Sequence, residues 1–325
     1  MAGTEAKSRS LEPSDRVPKV AIVTGTSSGF GLHIGMELAK AGVLVVAGMR
    51  RPEAAGKLIA AAAEADREKG GSHHTAELRF AGELEALGNG PVSSLIRPVT
   101  LDVCDDNRVQ EAVKAVMDRF GRIDILVNNA GMAMGGFVGE VPMEGWREQF
   151  AVNVFGLIAM TGAVVPHMRE ARSGCIIQMS SVSGAIGLPG YGPYVSSKFA
   201  IEGFSESLAL ETAPYGIRTY VLEPASYKTD IWEKGFAGIH RTDGSPNEAT
   251  LNRMLDMSRA SAEGGGDPRV VARLAADLAL GKKGHGRFRY VLPRGAALLV
   301  ALKKRLPFRL VQAIMLRILR RGMKN

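Results

Sequence analysis

Short apolar runs alternate with segments of helical composition along most of the chain. A β-branched, aliphatic run between turn residues is typical of a buried strand, and a longer periodic segment is typical of a helix. Strands that alternate with helices form a parallel sheet covered by helices on both faces, a doubly wound α/β fold. The pattern predicts strands at 19–24, 43–49, 95–101, 123–127, 175–179, 217–222 and 287–292, and helices at 32–41, 52–69, 105–120, 144–172 and 191–213.

The basic residues are unevenly distributed. The formal net charge is +8, and the excess lies between Lys303 and Lys324, where no acidic residue occurs. The rest of the chain is therefore close to neutral. A protein that binds nucleic acid carries a basic patch on its folded body or a recognisable binding motif, and no zinc-finger or RNA-binding aromatic signature is present. We expect no nucleic-acid partner.

The sequence shows no sign of disulfide bonds, metal sites or a secretion signal. Cys104 and Cys175 are too few and too far apart for a disulfide framework or a metal cluster. His73 and His74 lack cysteine or carboxylate partners at a metal-binding spacing, so no metal site is expected. Residues 1–18 form a polar tail without the apolar core of a signal peptide. With no uninterrupted apolar run of about 18 residues, a cytoplasmic protein is expected.

A glycine-rich turn follows the first predicted strand. Glycines at this position let the backbone turn tightly, and the amides at the start of the next helix then face an anionic ligand. The spacing is Gly-x3-Gly-x-Gly rather than Gly-x-Gly-x-x-Gly, and an ordinary glycine-rich connection is the alternative interpretation. The candidate phosphate-binding residues are Gly25, Ser27, Ser28, Gly29, Phe30 and Gly31.

The end of the second predicted strand bears on cofactor choice. An acidic residue there binds the ribose 2′-hydroxyl of NAD, whereas an arginine accommodates the 2′-phosphate of NADP. The sequence places Arg50 and Arg51 there and no carboxylate. This favours NADP(H), with Arg50 as the main candidate, and leaves NAD(H) open as the alternative.

Polar motifs follow the later strands in a fixed order. Asp102 follows the third strand, Asn128 to Gly131 follow the fourth, and Ser180 and Ser181 follow the fifth. Tyr194 and Lys198 begin the next helix. Over residues 19–292 this series resembles the short-chain dehydrogenase/reductase family. The resemblance implies a Rossmann-type, doubly wound parallel β-sheet flanked by helices on both faces, and a nicotinamide-dependent oxidoreductase.

The resemblance also implies residue roles. Tyr194 matches the catalytic acid/base, and Lys198 its partner, which also holds the nicotinamide ribose. Ser181 matches the serine that orients the carbonyl, and Asn153 matches the helix asparagine that holds a water in a proton relay. Ala225 stands where the family usually has glycine, and Phe30 replaces a usual aliphatic residue. The further cofactor contacts implied are Asp102, Val103, Asn129, Ala130, Gly131, Pro224, Ala225 and Thr229.

Elementary chemistry supports the tyrosine and lysine independently. Tyr194 and Lys198 are four residues apart, so on a helix their side chains share one face. A free tyrosine has a pKa of about 10, too high for a good base near neutrality. A nearby ammonium favours the phenolate, so Lys198 is expected to lower the pKa of Tyr194.

Two regions have no counterpart in the simple pattern. Residues 70–95 carry weak periodicity and are predicted to be an insertion. Residues 293–325 are predicted to form basic amphipathic helices separated by Pro307. Packing of these helices on the body or on another subunit is the favoured interpretation, and peripheral contact with an anionic membrane remains open.

The function predicted from the sequence is therefore an NADP(H)-dependent alcohol dehydrogenase or carbonyl reductase. The apolar residues Met132, Met134 and Phe137 and the terminal helices favour a hydrophobic substrate such as a steroid, retinoid or polyketide-derived carbonyl. An NAD(H) enzyme running oxidatively is one alternative, and a low-turnover regulatory or scaffold protein is another. A homodimer or homotetramer is expected.

Overall fold

Seven parallel strands form one sheet in the order β3-β2-β1-β4-β5-β6-β7. The computed structural model describes residues 18–68, 91–284 and 286–320. The strand order reverses between β1 and β4, and in such sheets ligands bind at this switch point, outside the carboxyl ends of the strands. The strands are β1 Val20–Thr24, β2 Leu44–Met49, β3 Ile96–Thr100, β4 Ile125–Asn128, β5 Gly174–Met179, β6 Ile217–Pro224 and β7 Arg289–Leu292.

Helices cover both faces of the sheet, and two more helices follow the last strand in sequence. The doubly wound fold is therefore confirmed, and each predicted strand is found within two residues of its predicted limits. The helices are α1 Gly29–Lys40, α2 Gly56–Glu68, α3 Asp106–Phe120, α4 Met143–Phe150, α5 Gly156–Glu170, α6 Gly192–Thr212, α7 Ile231–Ala237, α8 Glu248–Glu263, α9 Pro268–Ala279, α10 Arg294–Arg305 and α11 Phe308–Arg320.

Each face of the sheet has its own apolar core. Helices α1, α2 and α9 cover one face, where Ile34, Leu58 and Val271 are fully buried. Helices α3, α5 and α6 cover the other, where Val109 and Met160 are fully buried. Strand residues alternate between the two cores because successive side chains of a strand point to opposite faces. Both cores leave the carboxyl edge of the sheet free to hold a site.

The long predicted helix over 144–172 is interrupted. A π-helical turn, Ala151–Phe155, separates α4 from α5. Such turns occur mostly at functional sites, since they re-aim side chains. The segment Met143–Glu170 is long and apolar enough to cross a membrane by length and composition, and 44% of its most apolar window is buried inside the protein. Met160, Val164 and Met168 are fully buried, as in a core helix.

The predicted insertion is only partly described. Residues 69–90 lie outside the described residues, as do His73 and His74. Residues 92–95, which we had placed in the insertion, instead form a 3₁₀ turn before β3. Val92 and Leu95 are buried in the core, and Asp66 of α2 accepts hydrogen bonds from the amides of Val92 and Ser93. These contacts fix the turn to α2, and the insertion over 70–95 stays a prediction.

Candidate active site

The glycine turn lies at the carboxyl end of β1. Gly25 and Gly29 have φ values of +68° and +58°, which side-chain-bearing residues rarely adopt. A Cβ on Gly31 would lie 2.3 Å from the Gly25 carbonyl oxygen and 2.4 Å from Asn129 Nδ2. The turn therefore depends on glycine at these positions.

The start of α1 suits an anionic ligand. Ser28 is the N-cap residue, but its side chain makes no capping hydrogen bond, and the first turn of α1 holds no acidic residue. Free amides and the positive end of the helix dipole are therefore available to phosphate oxygens. Ser27 and Gly29 are partly exposed beside them. The residues present fit the pyrophosphate of a dinucleotide.

Thr24 and Asn129 join the ends of β1 and β4. The buried Thr24 hydroxyl accepts hydrogen bonds from the amides of Asn129 and Ala130 at 3.0 and 2.9 Å. Asn129 Nδ2 donates to the carbonyls of Thr24 and Gly25 at 2.9 and 3.1 Å. The Asn129 side chain therefore holds the main chain of the glycine turn.

The end of β2 carries an exposed cation. Arg50 is exposed and close enough to Cys104 to oppose the rise in pKa that burial and Asp102 impose on that thiol. Asp102 accepts a hydrogen bond from the Cys104 amide at 3.0 Å, so its carboxylate turns towards its own loop. The Val103 side chain is buried against Gly156, which leaves only its main chain for a cofactor. Arg50 and Asp102 therefore both lie near Cys104, beyond the ends of β2 and β3.

Tyr194 and Lys198 lie together on the first turns of α6. Lys198 is 6% exposed, and its Nζ donates to the Met179 carbonyl at 2.8 Å and lies 5.6 Å from the centre of the Tyr194 ring. Burial lowers the pKa of Lys198 to about 8, whereas Glu202 raises it. The lysine remains mostly protonated at neutral pH.

The pKa of Tyr194 differs from the sequence-based expectation. Burial raises the pKa of the phenol, and hydrogen bonding to Ser181 opposes that rise. The Lys198 ammonium does not offset this rise, since its hydrogen bond goes to the Met179 carbonyl of β5. Tyr194 is thus a protonated donor at neutral pH in this structure.

Ser181 and the segment after β6 complete this side of the site. The Ser181 hydroxyl donates to the Pro224 carbonyl at 3.3 Å and accepts from the Ser183 amide at 3.1 Å. Thr229 lies over the glycine turn, where its Cβ would be 3.4 Å from a Cβ on Gly29. The Ala225 amide donates to the Leu292 carbonyl of β7 at 2.7 Å. That amide is therefore engaged in the sheet, and a cofactor contact of Ala225 through its carbonyl or side chain stays a prediction.

Asn153 lies in the π-helical turn and is 1% exposed. Its side-chain Oδ1 accepts a hydrogen bond from the Met132 main-chain amide at 2.9 Å, and its Nδ2 donates to the Met132 carbonyl at 3.0 Å. It also donates to Ser197 Oγ at 3.0 Å, and Ser197 donates to the Tyr194 carbonyl at 2.7 Å. Asn153 is thereby linked to the catalytic helix as well as to the loop after β4.

Gln149 is a site residue that the sequence analysis missed. It is fully buried one turn before Asn153, accepts from the Met134 amide at 2.8 Å and donates to the Met132 carbonyl at 2.9 Å. A glutamine and an asparagine four residues apart in an apolar helix were the available signal. The two amides together fix the main chain of residues 132–134.

The substrate side is built from segments far apart in sequence. Gly136 forms a β-bridge with Tyr191, and the His240 amide donates to the Gly135 carbonyl at 3.0 Å. Glu140 accepts hydrogen bonds from Asn247 and Ser245, which lower the pKa of its carboxyl group. Met134 is buried against Gly145. Helices α7 and α8 were not predicted, although they cover this side.

The aromatic residues near the site have packing roles. Phe30 and Tyr227 form an edge-to-face pair with ring centres 5.6 Å apart, and Tyr227 also packs on Gly266. This pair accounts for the aromatic residue at position 30. The Tyr191 hydroxyl donates to Ser258 of α8 at 2.9 Å. Within the parts of the chain that the structure describes, no cluster of three or more His, Cys, Asp and Glu residues is suited to a metal ion.

Comparison with known proteins gives consistent matches. A family model described as short chain dehydrogenase matches residues 73–239. An uncharacterised oxidoreductase of Bacillus subtilis, YusZ, is 39% identical over 299 residues, which cover 91% of this chain and 97% of that protein. A 3-ketodihydrosphingosine reductase of Bacteroides thetaiotaomicron is 34% identical over 212 residues, 65% of each chain.

Solved structures share the fold. A short-chain dehydrogenase from Streptomyces avermitilis superimposes with a TM-score of 0.69 at 29% identity, covering 95% of this chain and all of that one. A short-chain dehydrogenase/reductase from Burkholderia phymatum, solved in complex with NAD, gives the same TM-score at 24% identity and covers 89% of this chain and 94% of its own.

Proposed function

The chain belongs to the short-chain dehydrogenase family of oxidoreductases, and from this premise we propose that it interconverts a ketone or aldehyde and the corresponding alcohol with NADP(H). The observation that carries the proposal is the convergence of Tyr194, Lys198, Ser181 and Asn153 at the carboxyl edge of the sheet. The glycine turn beside them fits the pyrophosphate of a dinucleotide.

Each side chain has a definite task in this reaction. A bound nicotinamide supplies hydride chemistry to the substrate carbon. Tyr194 holds the proton that is delivered to, or taken from, the substrate oxygen. Ser181 exchanges its hydrogen bond with Pro224 for one to that oxygen, and a donor so placed is worth about 10²- to 10³-fold in rate. Lys198 supplies the positive charge that favours the phenolate when the proton leaves.

NADP(H) is the proposed cofactor because Arg50 is exposed at the end of β2 and no carboxylate lies there to bind a ribose hydroxyl. Initial rates with NADPH and NADH test this directly. The substitution Arg50→Ala is expected to raise the KM for NADPH about tenfold or more, since an ionic contact with phosphate is lost, and to leave the KM for NADH nearly unchanged. Arg51→Ala is the matched control. A parent enzyme that prefers NADH overturns the proposal.

The proposed substrate is hydrophobic. Val138 is 69% exposed and, with Trp146, packs against Gly192, two residues before Tyr194. Ile239 closes on Gly135 from the other side. One relative is named as a 3-ketodihydrosphingosine reductase and another, in human, as a retinol dehydrogenase. A panel of apolar and polar ketones of matched reactivity, followed by NADPH consumption, tests the proposal, and a preference for polar ketones contradicts it.

A low-turnover scaffold protein is the alternative. The parent and Tyr194→Phe should bind NADPH equally, and only the parent should consume it with a ketone. Equal consumption by both would remove Tyr194 from the chemistry. Absence of turnover over the whole panel, with NADPH binding intact, would favour the scaffold.

A homodimer or homotetramer is proposed because Phe155 of the π-helical turn, Ile158 of α5, and Phe199 and Leu210 of α6 are exposed apolar residues. Light scattering of the purified protein measures the assembly. A monomer at micromolar concentration would contradict the proposal.

Peripheral contact with an anionic membrane is proposed for α10 and α11, in a cytoplasmic protein. Among the side chains of these helices that the structure describes, only Val300 and Leu319 are buried. An apolar cavity of about 500 Å³ lies between them and α6, lined in part by Phe199 and Phe308, with Lys303 at its side. The exposed residues combine cations with large apolar side chains, namely Leu298, Leu299, Leu302, Lys304, Arg305, Phe308, Arg309, Leu310, Ile314, Leu316 and Arg317.

Vesicle co-sedimentation tests this contact. Binding to vesicles that contain phosphatidylserine, weakened by salt and by Leu298→Glu, is the expected result. Val270→Glu, an exposed apolar residue on α9, is the control. No sedimentation at low salt would contradict membrane contact and favour packing against another subunit.

A further inference from the structure

Two buried carboxylates lie behind the catalytic lysine, and the reaction described above uses neither. Glu202 is one turn after Lys198 on α6 and is 8% exposed. Glu223 lies near the end of β6 and is 2% exposed. Buried charged carboxylates are costly unless they are paired. Glu202 and Glu223 therefore need cationic partners to stay ionised.

Arg289 supplies the partner from the last strand. Its Nε lies 2.7 Å from Glu202 Oε2 and 3.7 Å from Glu223 Oε1. Its Nη2 lies 2.8 Å from Glu206 Oε1, which is at the protein surface. Arg289 itself is held in place because β7 pairs with β6, with Arg289 opposite Val221. One arginine therefore ties a carboxylate of the catalytic helix to the edge of the sheet.

Glu202 also packs against the turn that follows β5 and contains Ser181. A Cβ on Gly184 would lie 2.9 Å from Glu202 Cγ and 2.7 Å from Ser180 Oγ. Ser180 Oγ and Glu202 Oε1 are buried and have no hydrogen-bond partner within the described part of the chain. The side chain of Glu202 is thus enclosed between Lys198, Arg289 and the turn after β5.

We propose that Glu202 is a positioning residue for Lys198: its carboxylate, held by Arg289 one helical turn away, keeps the buried lysine charged and so favours the hydrogen bond from its Nζ to the Met179 carbonyl. The inference rests on the proposed role of Lys198. On a helix, residues four apart share a face, and a carboxylate there stabilises an ammonium that burial would otherwise neutralise.

The surrounding charges set the direction of the effect. Lys198 is faced by Glu202, by Tyr194 and by the Met179 carbonyl. Burial lowers the pKa of Lys198 to about 8 and Glu202 raises it, so removing the Glu202 charge lowers that pKa further.

The pKa of the second carboxylate shifts in the same direction as that of Lys198. Burial raises the pKa of Glu223 to about 7 and Glu202 adds to the rise, whereas Arg289 and Lys304 of α10 oppose it. Loss of the Glu202 charge therefore lowers the pKa of Glu223 as well, and Glu223 then carries more of the negative charge facing Arg289.

The test titrates Lys198 directly. Side-chain NMR of protein with isotope-labelled lysines, free of cofactor and assigned with Lys198→Arg, gives the midpoint of Lys198. In Glu202→Gln the midpoint is expected to fall by about one pH unit, and the alkaline limb of kcat/KM should fall with it. Glu202→Asp, which keeps the charge but draws it back, should lie between the parent and Glu202→Gln.

The control is Glu206→Gln, which removes the other carboxylate that pairs with Arg289 but is exposed and should leave the Lys198 midpoint unchanged. A Glu202→Gln midpoint equal to that of the parent overturns the inference. If Glu202→Gln does not fold, the Asp variant decides: a lowered midpoint supports the inference and an unchanged one overturns it. Because the NMR titration needs no turnover, failure of the proposed reaction remains distinguishable.

Discussion

The cofactor side and the substrate side of this site are built in different ways. On the cofactor side, the decisive groups are glycines with no side chain and main-chain atoms held by the side chains of Thr24 and Asn129, all within residues 24–31 and 128–131. On the substrate side, segments 132–141, 186–191 and 231–263 meet through individual side chains and bridges. Substitutions on the cofactor side should therefore be strongly destabilising, whereas single substitutions on the substrate side remove individual contacts.

The catalytic tyrosine lies where the two sides meet, and its substitution should have the largest effect. Tyr194→Phe removes the proton donor, so kcat is expected to fall about 10²- to 10⁴-fold. NADPH binding, measured by fluorescence, should change little because the ring remains. A tyrosine variant that lost cofactor binding instead would mean that Tyr194 belongs to the cofactor side alone. Ser196→Ala, on the same helix but away from Lys198, is the control.

A single methyl group on the cofactor side should be the next most damaging change. Gly31→Ala places a Cβ 2.3 Å from the Gly25 carbonyl oxygen, and that main-chain atom has nowhere to move. The variant is expected to lose measurable NADPH binding and about 3 kcal/mol of unfolding free energy. Calorimetric binding and denaturant unfolding are the measurements. The control is Gly162→Ala in α5, where a Cβ meets no neighbour. Normal NADPH affinity in Gly31→Ala would contradict the comparison.

A substrate-side contact should have a milder and more selective effect. Glu140→Gln removes the charge that Ser245 and Asn247 bind, so the segment before α8 is expected to loosen. The KM for ketone should rise several-fold while NADPH affinity stays constant. Glu144→Gln, an exposed carboxylate paired with Arg147 on α4, is the matched control. A parallel loss of NADPH affinity would show that the two sides are not separable here.

The smallest effect is expected where the two sides touch through aromatic rings. Phe30→Leu removes the edge-to-face contact with Tyr227, worth about 1 kcal/mol beyond area burial. Unfolding free energy should fall by about 1–2 kcal/mol and kcat should change less than about threefold. Tyr227→Phe keeps the ring pair and serves as the control. An unchanged unfolding free energy in Phe30→Leu would mean that the pair contributes nothing measurable.

The same contrast explains what the sequence could predict. Strand and helix periodicity and glycine spacing are local, so the parallel sheet and the glycine turn were predicted from the sequence. Helices α7 to α9 were not predicted. Helix α7 has only seven residues, and a helix of that length forms only when tertiary packing selects it. The main-chain pairing of Ala225 with Leu292 was also invisible, because it depends on which strand lies next to β6.

The charged groups behind Lys198 were beyond prediction for a related reason. Glu202 occurs in an ordinary helical pattern, and Arg289 lies in a short strand far along the chain. Only the parallel pairing of β6 with β7 brings them within 2.7 Å of each other. Two residues so far apart in sequence give no local pattern that would predict their contact.

The position of Arg289 on β7 has a consequence for the order of synthesis. A nascent chain that has been translated only through β6 has already acquired Tyr194, Lys198 and Glu202, yet its Glu202 and Glu223 still lack the guanidinium that they bury. Such an intermediate carries uncompensated charge behind the active site and an unpaired edge on β6. A polypeptide released by the ribosome before residue 289 would therefore be less stable, and the segments that it exposes on unfolding are those that chaperones and proteases recognise.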